Sequence, residues 1–143
     1  MILGIDHVGI ITEDPAGAGK FLTALGMHAS DAGIAEGYGV ACEFWQQGQA
    51  RQPAVEIVSP ARDGSAVSDR LTKSGPGLHH VAYEVTGIDD ERARLRQAGY
   101  IEVDREPYDG ARPGMRVIFM YAPRPAGLLI ELVEYTSHEE TVS

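Results

Sequence analysis

The chain has 143 residues, 43% hydrophobic and 23% charged, which suits one ordinary domain or two small fused modules with a real core. Its formal charge of −9, from 12 basic and 21 acidic residues, opposes a phosphate backbone, so no nucleic-acid partner is expected. A single cysteine, Cys42, excludes an internal disulfide and suits a reducing cytoplasm, and no segment reads as a secretory leader or a membrane span.

Residues 2–11 are β-branched and aliphatic and predict a strand. Asp14-Pro15 then opens a helix running to about Leu25, with Asp as the cap, Pro in the first turn and Gly26 as the stop. Residues 38–47 and 53–59 read as strands. A short linking helix follows from Ser65 to Lys73 and is closed by Ser74-Gly75-Pro76-Gly77. Residues 78–85 predict a strand and 89–98 a helix, with Asp89 at its start and Gly99 at its end. The stretch from Asp109 to Gly114 is a turn-rich loop, 116–122 and 128–135 are strands, and the polar tail from Ser137 is expected to fray. This divides the chain into a first module (1–64), a link (65–77), a second module (78–136) and a tail (137–143).

The two modules repeat each other. Ile5-Asp6-His7-Val8-Gly9-Ile10 and Leu78-His79-His80-Val81-Ala82-Tyr83 both read apolar, polar, His, Val, small, large apolar, at an offset of 73 (80 − 7). At that offset Leu22 meets Leu95 and Gly26 meets Gly99. Val55-Glu56-Ile57-Val58 matches Ile130-Glu131-Leu132-Val133 at an offset of 75 (131 − 56). Four matches in one order at nearly one offset point to a duplicated module.

Duplication gives the charged residues a purpose. An acid inside an aliphatic strand is rare unless something pairs with it. By alternation Glu56 shares a face with Ala54 and Val58, and Glu131 with Leu129 and Val133. Modules packed about a pseudo-twofold axis would bring His7, Glu56, His80 and Glu131 together. Two imidazoles and two carboxylates suit one divalent ion of the Mn, Fe, Co, Ni or Zn kind better than calcium, with positions left for water or substrate. No second cysteine is present for a structural zinc site. Of the remaining residues, His79 is expected to be structural or to hydrogen-bond a ligand, His28 and His138 to lie on the surface, and Glu134 to be solvated. Cys42 reads as a small buried hydrophobe. Phe44 and Trp45 fit either core or pocket. Arg105, Arg112, Arg116 and Arg124 are candidates to hold a small anion.

The His…Glu…His…Glu set on paired modules resembles the vicinal oxygen chelate, or glyoxalase-like, superfamily. Within it the chain is most similar to the methylmalonyl-CoA epimerase family. The stretches that carry this are Ile5 to Ile10, Ser59 to Val67, Gly77 to Tyr83 and Gly127 to Glu134. The resemblance implies an α+β fold, two paired βαβββ modules forming a cupped mixed sheet around a central metal site. It implies a divalent cofactor, Co²⁺ or Mn²⁺ first, with Ni²⁺, Zn²⁺ and Fe²⁺ compatible. It also implies a small acyl-CoA substrate, and a homodimer that covers the sheet edges. The activity implied is epimerisation: an α-proton leaves one face of a 2-substituted malonyl thioester and another returns to the opposite face, with Glu131 as one acid–base group. Alternatives are a lactoylglutathione lyase of the glyoxalase I kind and another biosynthetic isomerase of the superfamily. Some relatives carry a second catalytic glutamate on the strand after the first helix. Alignment through Tyr38-Gly39-Val40 places Cys42 there, with Glu43 next to it. A bulge would bring Glu43 into the site; otherwise the second acid comes from elsewhere or the chemistry differs.

Overall fold

The computed structural model describes residues 1–48 and 52–136; His138 and the tail from Ser137 lie outside them. The first half consists of β1 (Ile2–Ile11), α1 (Pro15–Ala24), β2 (His28–Ala35), β3 (Val40–Gln46) and β4 (Ala54–Pro60). A linking helix, α2 (Ser68–Ser74), leads to β5 (Gly77–Val85), α3 (Ile88–Gln97), β6 (Ile101–Glu102), β7 (Tyr108–Asp109), β8 (Met115–Ala122) and β9 (Leu128–Tyr135). Asp14 caps α1 through its side chain, which accepts the Gly17 N–H at 2.9 Å, and Pro15 takes the first turn. Helix α3 opens with Asp89, Asp90 and Glu91, whose charges favour the positive end of the helix dipole. Among the described residues, no helix is long and apolar enough to cross a membrane.

Among the described residues, nine strands form one mixed sheet in the order β2-β3-β4-β1-β5-β9-β8-β6, with β7 paired to β8. Read outward from the centre, 1-4-3-2 mirrors 5-9-8-6, so each half is a βαβββ unit. β1 pairs β4 in parallel, β5 pairs β9 in parallel, and β1 meets β5 antiparallel between them. The core lies on both sides of this arrangement. One cluster includes Ile11, Phe44, Val58, Val117 and Val133; the other joins Ile88 and Leu95 of α3 to Ile118 and Leu132.

Three strands lie outside those read from the sequence. β2 runs through His28-Ala29-Ser30-Asp31, which has no apolar alternation and is exposed; it is an edge strand paired only with β3. β6 and β7 have two residues each. Main-chain pairing, not side-chain burial, makes these strands, so hydrophobic period carries no trace of them. Helix α2 starts at Ser68 rather than Ser65, because the Ser68 hydroxyl takes the Ser65 N–H at 3.1 Å and holds residues 65–67 as a turn.

Candidate metal centre

The register of the central strands brings the four expected residues together. On the β1–β5 seam His7 lies opposite Ala82, and Gly9 opposite His80. On the parallel ladders Gly9 pairs Glu56, and Ala82 pairs Glu131. Each histidine therefore faces the small residue two positions beyond the other histidine, and that small residue leads to a glutamate. Gly9 has to be small: a Cβ there would overlap the His80 imidazole.

All four side chains are buried, His7 at 0% exposure, His80 at 4%, Glu56 and Glu131 at 5% each. Carboxylates buried to this degree need a cation. His7 Nε2 and His80 Nε2 stand 3.2 Å apart. Glu56 Oε1 is 3.3 Å from each of them, and Glu131 Oε1 is 2.9 Å from His7 Nε2 and 3.7 Å from His80 Nε2. Ligand atoms of His7, Glu56 and His80 all fall within 4.8 Å of one another, which is consistent with a divalent metal site. Bonds of about 2.1 Å to a metal put neighbouring ligand atoms roughly 3 Å apart, the spacing seen here.

The far nitrogens are tied down by the residues that precede the histidines. His7 Nδ1 meets Asp6 Oδ2 at 2.7 Å, and His80 Nδ1 meets His79 Nδ1 at 2.9 Å. Neighbours on a regular strand point to opposite faces. The β1–β5 pairing skips both Asp6 and His79, so each sits in an irregularity beside its histidine, the device that re-aims side chains near sites. Asp6 is held in turn by the Tyr135 hydroxyl, which donates to both carboxylate oxygens at 3.0 Å. Arg112 then bonds Tyr135 at 2.8 Å and Asp31 at 3.0 Å, and lies 3.7 Å over the Phe44 ring, which meets His7 edge-on.

This network selects positive charge at the centre. Burial opposes a proton on His7, yet Asp6, Glu131 and Glu56 more than offset it and raise its pKa well above the ordinary histidine value. Burial likewise opposes charge on Glu56, but His7 and His80 hold its carboxyl well below the usual carboxylate range. With Nδ1 of His7 bonded to Asp6, one proton on Nε2 satisfies one neighbour only, and Glu131 Oε1, although 2.9 Å from Nε2, makes no hydrogen bond of good geometry. A divalent ion would meet all four groups at once, so the N₂O₂ donor set and this poorly satisfied oxygen fit a metal. His79 is the opposite case: burial first, then the charge of His80, lower its pKa to about 4, so near neutral pH it is an uncharged partner for His80.

A cavity of about 190 Å³ opens over Glu56, His80 and Glu131. Val40, Val58, Val117 and Phe119 make its walls apolar, and Tyr38, Cys42, His79 and Asp104 add polar groups. Among the described residues, no lysine or arginine lines it. The four arginines considered for anion binding therefore have other places: Arg112 is committed as above, Arg116 lies 3.8 Å from Glu134, and Arg105 and Arg124 pair with no carboxylate among the described residues. His28 is exposed, as expected. Glu134 is half-buried rather than solvated, because it accepts the Gly87 N–H at the start of α3. Phe44 is core, and Trp45 packs toward Gly19 of α1.

Glu43 requires a correction. The β3–β4 register is unbroken from Val40 to Trp45, so no bulge turns Glu43 inward. Its carboxylate accepts from Trp45 Nε1 at 3.2 Å and lies beside Lys20 and Thr23 of α1, on the opposite face of the sheet from the histidines. Cys42 occupies the cavity side instead. It is buried, and burial, followed by the charge of Glu56, pushes its thiol pKa far up, as befits a small buried hydrophobe.

Residues 6–119 match the family model described as Glyoxalase/Bleomycin resistance protein/Dioxygenase superfamily. The chain is 31% identical over 135 residues to an ethylmalonyl-CoA/methylmalonyl-CoA epimerase of Cereibacter sphaeroides, covering 92% of this chain and 98% of that one. Its fold is similar to the methylmalonyl-CoA epimerase of Mycobacterium tuberculosis, with a TM-score of 0.85 at 27% identity over 99% of this chain and 93% of that one. It is equally similar to a variant of the Streptomyces coelicolor methylmalonyl-CoA epimerase in complex with 2-nitronate-propionyl-CoA, with a TM-score of 0.85 at 28% identity over 96% of this chain and 100% of that one.

Proposed function

This chain belongs to the Glyoxalase/Bleomycin resistance protein/Dioxygenase superfamily, and from that premise we propose that it is a metal-dependent epimerase of methylmalonyl-CoA or a similar 2-substituted acyl-CoA. The observation that carries the reading is the buried set of two carboxylates and two imidazoles, with Glu131 Oε1 2.9 Å from His7 Nε2 and 3.7 Å from His80 Nε2, at an apolar cavity. Support comes from the three relatives above, all named as methylmalonyl-CoA epimerases and one of them in complex with 2-nitronate-propionyl-CoA.

In this reading His7, Glu56, His80 and Glu131 hold one divalent ion, Co²⁺ or Mn²⁺. When bound, that ion supplies positive charge that offsets the charge left when a proton leaves the carbon between two carbonyl groups. The chain's own residues do the rest. The walls formed by Val40, Val58, Val117 and Phe119 exclude water and so strengthen every electrostatic interaction at the floor. Glu131 takes the α-proton, since its carboxylate is the acid–base group at the cavity floor. Asp6 and His79 fix both imidazoles so that neither competes for that proton. The chain acts as a homodimer, for which exposed Leu3 and Ile5 on β1 and Leu78 on β5 offer apolar surface, and it works in the cytoplasm.

The test is proton exchange. Metal-loaded protein incubated with methylmalonyl-CoA in D₂O is expected to place deuterium at C2 without consuming oxygen. Chelation should stop the exchange and Co²⁺ should restore it. Isomerisation of a glutathione hemithioacetal without any acyl-CoA exchange would replace this reading with the lyase alternative.

A further inference from the structure

Epimerisation needs two acid–base groups, one for each face of the carbon, and Glu43 points away from the cavity. We infer that Asp104 is the second proton-transfer group of this site, acting across the cavity from Glu131 and oriented by Tyr38. The inference rests on the epimerase reading above and identifies a residue that reading leaves unassigned.

Elimination among the titratable groups lining the cavity leads to Asp104. Glu56 and His80 belong to the proposed cation set, and Glu131 is already assigned as the first proton-transfer group. His79 is tied to His80 Nδ1. The Cys42 thiol sits beside Glu56. The Tyr38 hydroxyl is already donated to Asp104 Oδ2 at 2.6 Å. Asp104 remains.

Its own contacts suit the role. Oδ2 accepts both from Tyr38 and from the Phe119 N–H at 2.8 Å, so the carboxylate is gripped by one oxygen. Among the described residues Oδ1 has no hydrogen-bond partner, which leaves it free to meet a substrate. One gripped and one free oxygen is the arrangement that orients a carboxylate for proton transfer. Placement agrees. Glu131 rises from β9 at the floor. Asp104 enters from the segment between β6 and β7 and also lines the cavity, together with the Phe119 ring, which stands 5.1 Å from the His80 ring and 5.4 Å from the Tyr38 ring. Tyr38 belongs to the first half and Asp104 to the second, so the pair closes the wall across both modules.

The step balances. The Cα–H bond breaks, its proton goes to the Glu131 carboxylate, and its electron pair moves into the substrate carbonyl oxygens. Protonated Asp104 then gives its Oδ1 proton to the opposite face of the carbon, forming the new C–H bond and leaving a carboxylate. For the other C2 epimer the two residues exchange roles, and both exchange protons with solvent between turnovers.

A site with two proton-transfer groups fails in a particular way when one is lost: the survivor still exchanges the proton on its own face. The two C2 epimers of methylmalonyl-CoA, incubated separately in D₂O, read this out. In Asp104→Asn, one epimer is expected to take up deuterium without inversion at close to the wild-type rate, within about 3-fold. Exchange of the other, and epimerisation, should fall about 100-fold or more, the usual size of a lost general acid–base group. Co²⁺ stoichiometry should be unchanged. Tyr38→Phe keeps the carboxylate and its Phe119 bond, and should slow exchange of the epimer impaired in Asp104→Asn by about 10-fold while sparing the other. The inference is overturned if Asp104→Asn epimerises within about 3-fold of wild type, or if it binds metal normally and loses both exchanges equally. Wild-type protein that exchanges neither epimer would overturn the epimerase reading first, and this assignment with it.

Discussion

Asp6 and His79 hold the same place in the two halves. Each precedes a central histidine, each is skipped by the β1–β5 pairing, and each bonds that histidine's Nδ1. Yet one is a carboxylate and the other a neutral imidazole. Asp6 is backed by Tyr135 and Arg112 and lies away from the cavity, whereas His79 lines the cavity. A buried carboxylate behind a ligand imidazole makes it a stronger donor and fixes its tautomer; a neutral imidazole does only the second. In the proposed centre the first half would therefore hold a cation more tightly, and the second half would give up part of that hold to face the cavity. Duplication supplied four matching residues, and divergence of their neighbours makes two sides that differ, as the proposed epimerisation would require.

Removing a donor is the harshest way to break this comparison. His80→Ala leaves Glu56 and Glu131 short of a partner, so stoichiometric Co²⁺ uptake at micromolar concentration should be lost, a change larger than the roughly 10–100-fold typical of supporting residues. Isothermal titration would show it, and retained uptake would mean that the centre lies elsewhere. The supports themselves come next. Asp6→Asn should weaken metal binding by about 10–100-fold, and His79→Asn by less, on the order of a few-fold, because only Asp6 brings charge. Equal losses would remove the asymmetry between the halves. The small residues between the histidines sharpen it further. Gly9→Ala drives a methyl group into the His80 ring and should cost about 1–3 kcal/mol of stability together with a measurable loss of metal affinity. Glu43→Gln should do least. Its carboxylate meets Trp45 on the helix side, so stability within about 0.5 kcal/mol of wild type and unchanged metal content are expected by thermal melting and elemental analysis.

The four residues of the candidate centre were legible because repetition disclosed them: a histidine and a glutamate recurring at nearly one offset in apolar strands have few explanations, and strand alternation put each glutamate on an apolar face. Of the two supports, His79 reads in the sequence as structural or as a hydrogen-bond partner of a ligand, and it bonds His80, whereas Asp6 was hidden by the same rule. Alternation sends Asp6 and His79 to the face opposite their histidines, and only paired irregularities in β1 and β5, which depend on tertiary pairing, bring them back. Glu43 was misplaced for a related reason, since a one-residue shift reverses a strand side chain and nothing local in Cys42-Glu43 says whether a bulge is present. Asp104 sits among Asp, Arg and Glu residues that read as solvated loop. Its partner Tyr38 is 66 residues away, so only the folded cavity singles it out.

The claim beneath all of this is that one cation is shared by groups from both halves. Titration of the wild-type protein with Co²⁺, followed by visible absorption beside His7→Ala from the first half and Glu131→Ala from the second, tests it most directly. Wild type should saturate at one ion per chain, and both variants should lose the absorption band. Two ions per chain, no saturable uptake, or an unchanged spectrum in either variant would contradict a shared centre.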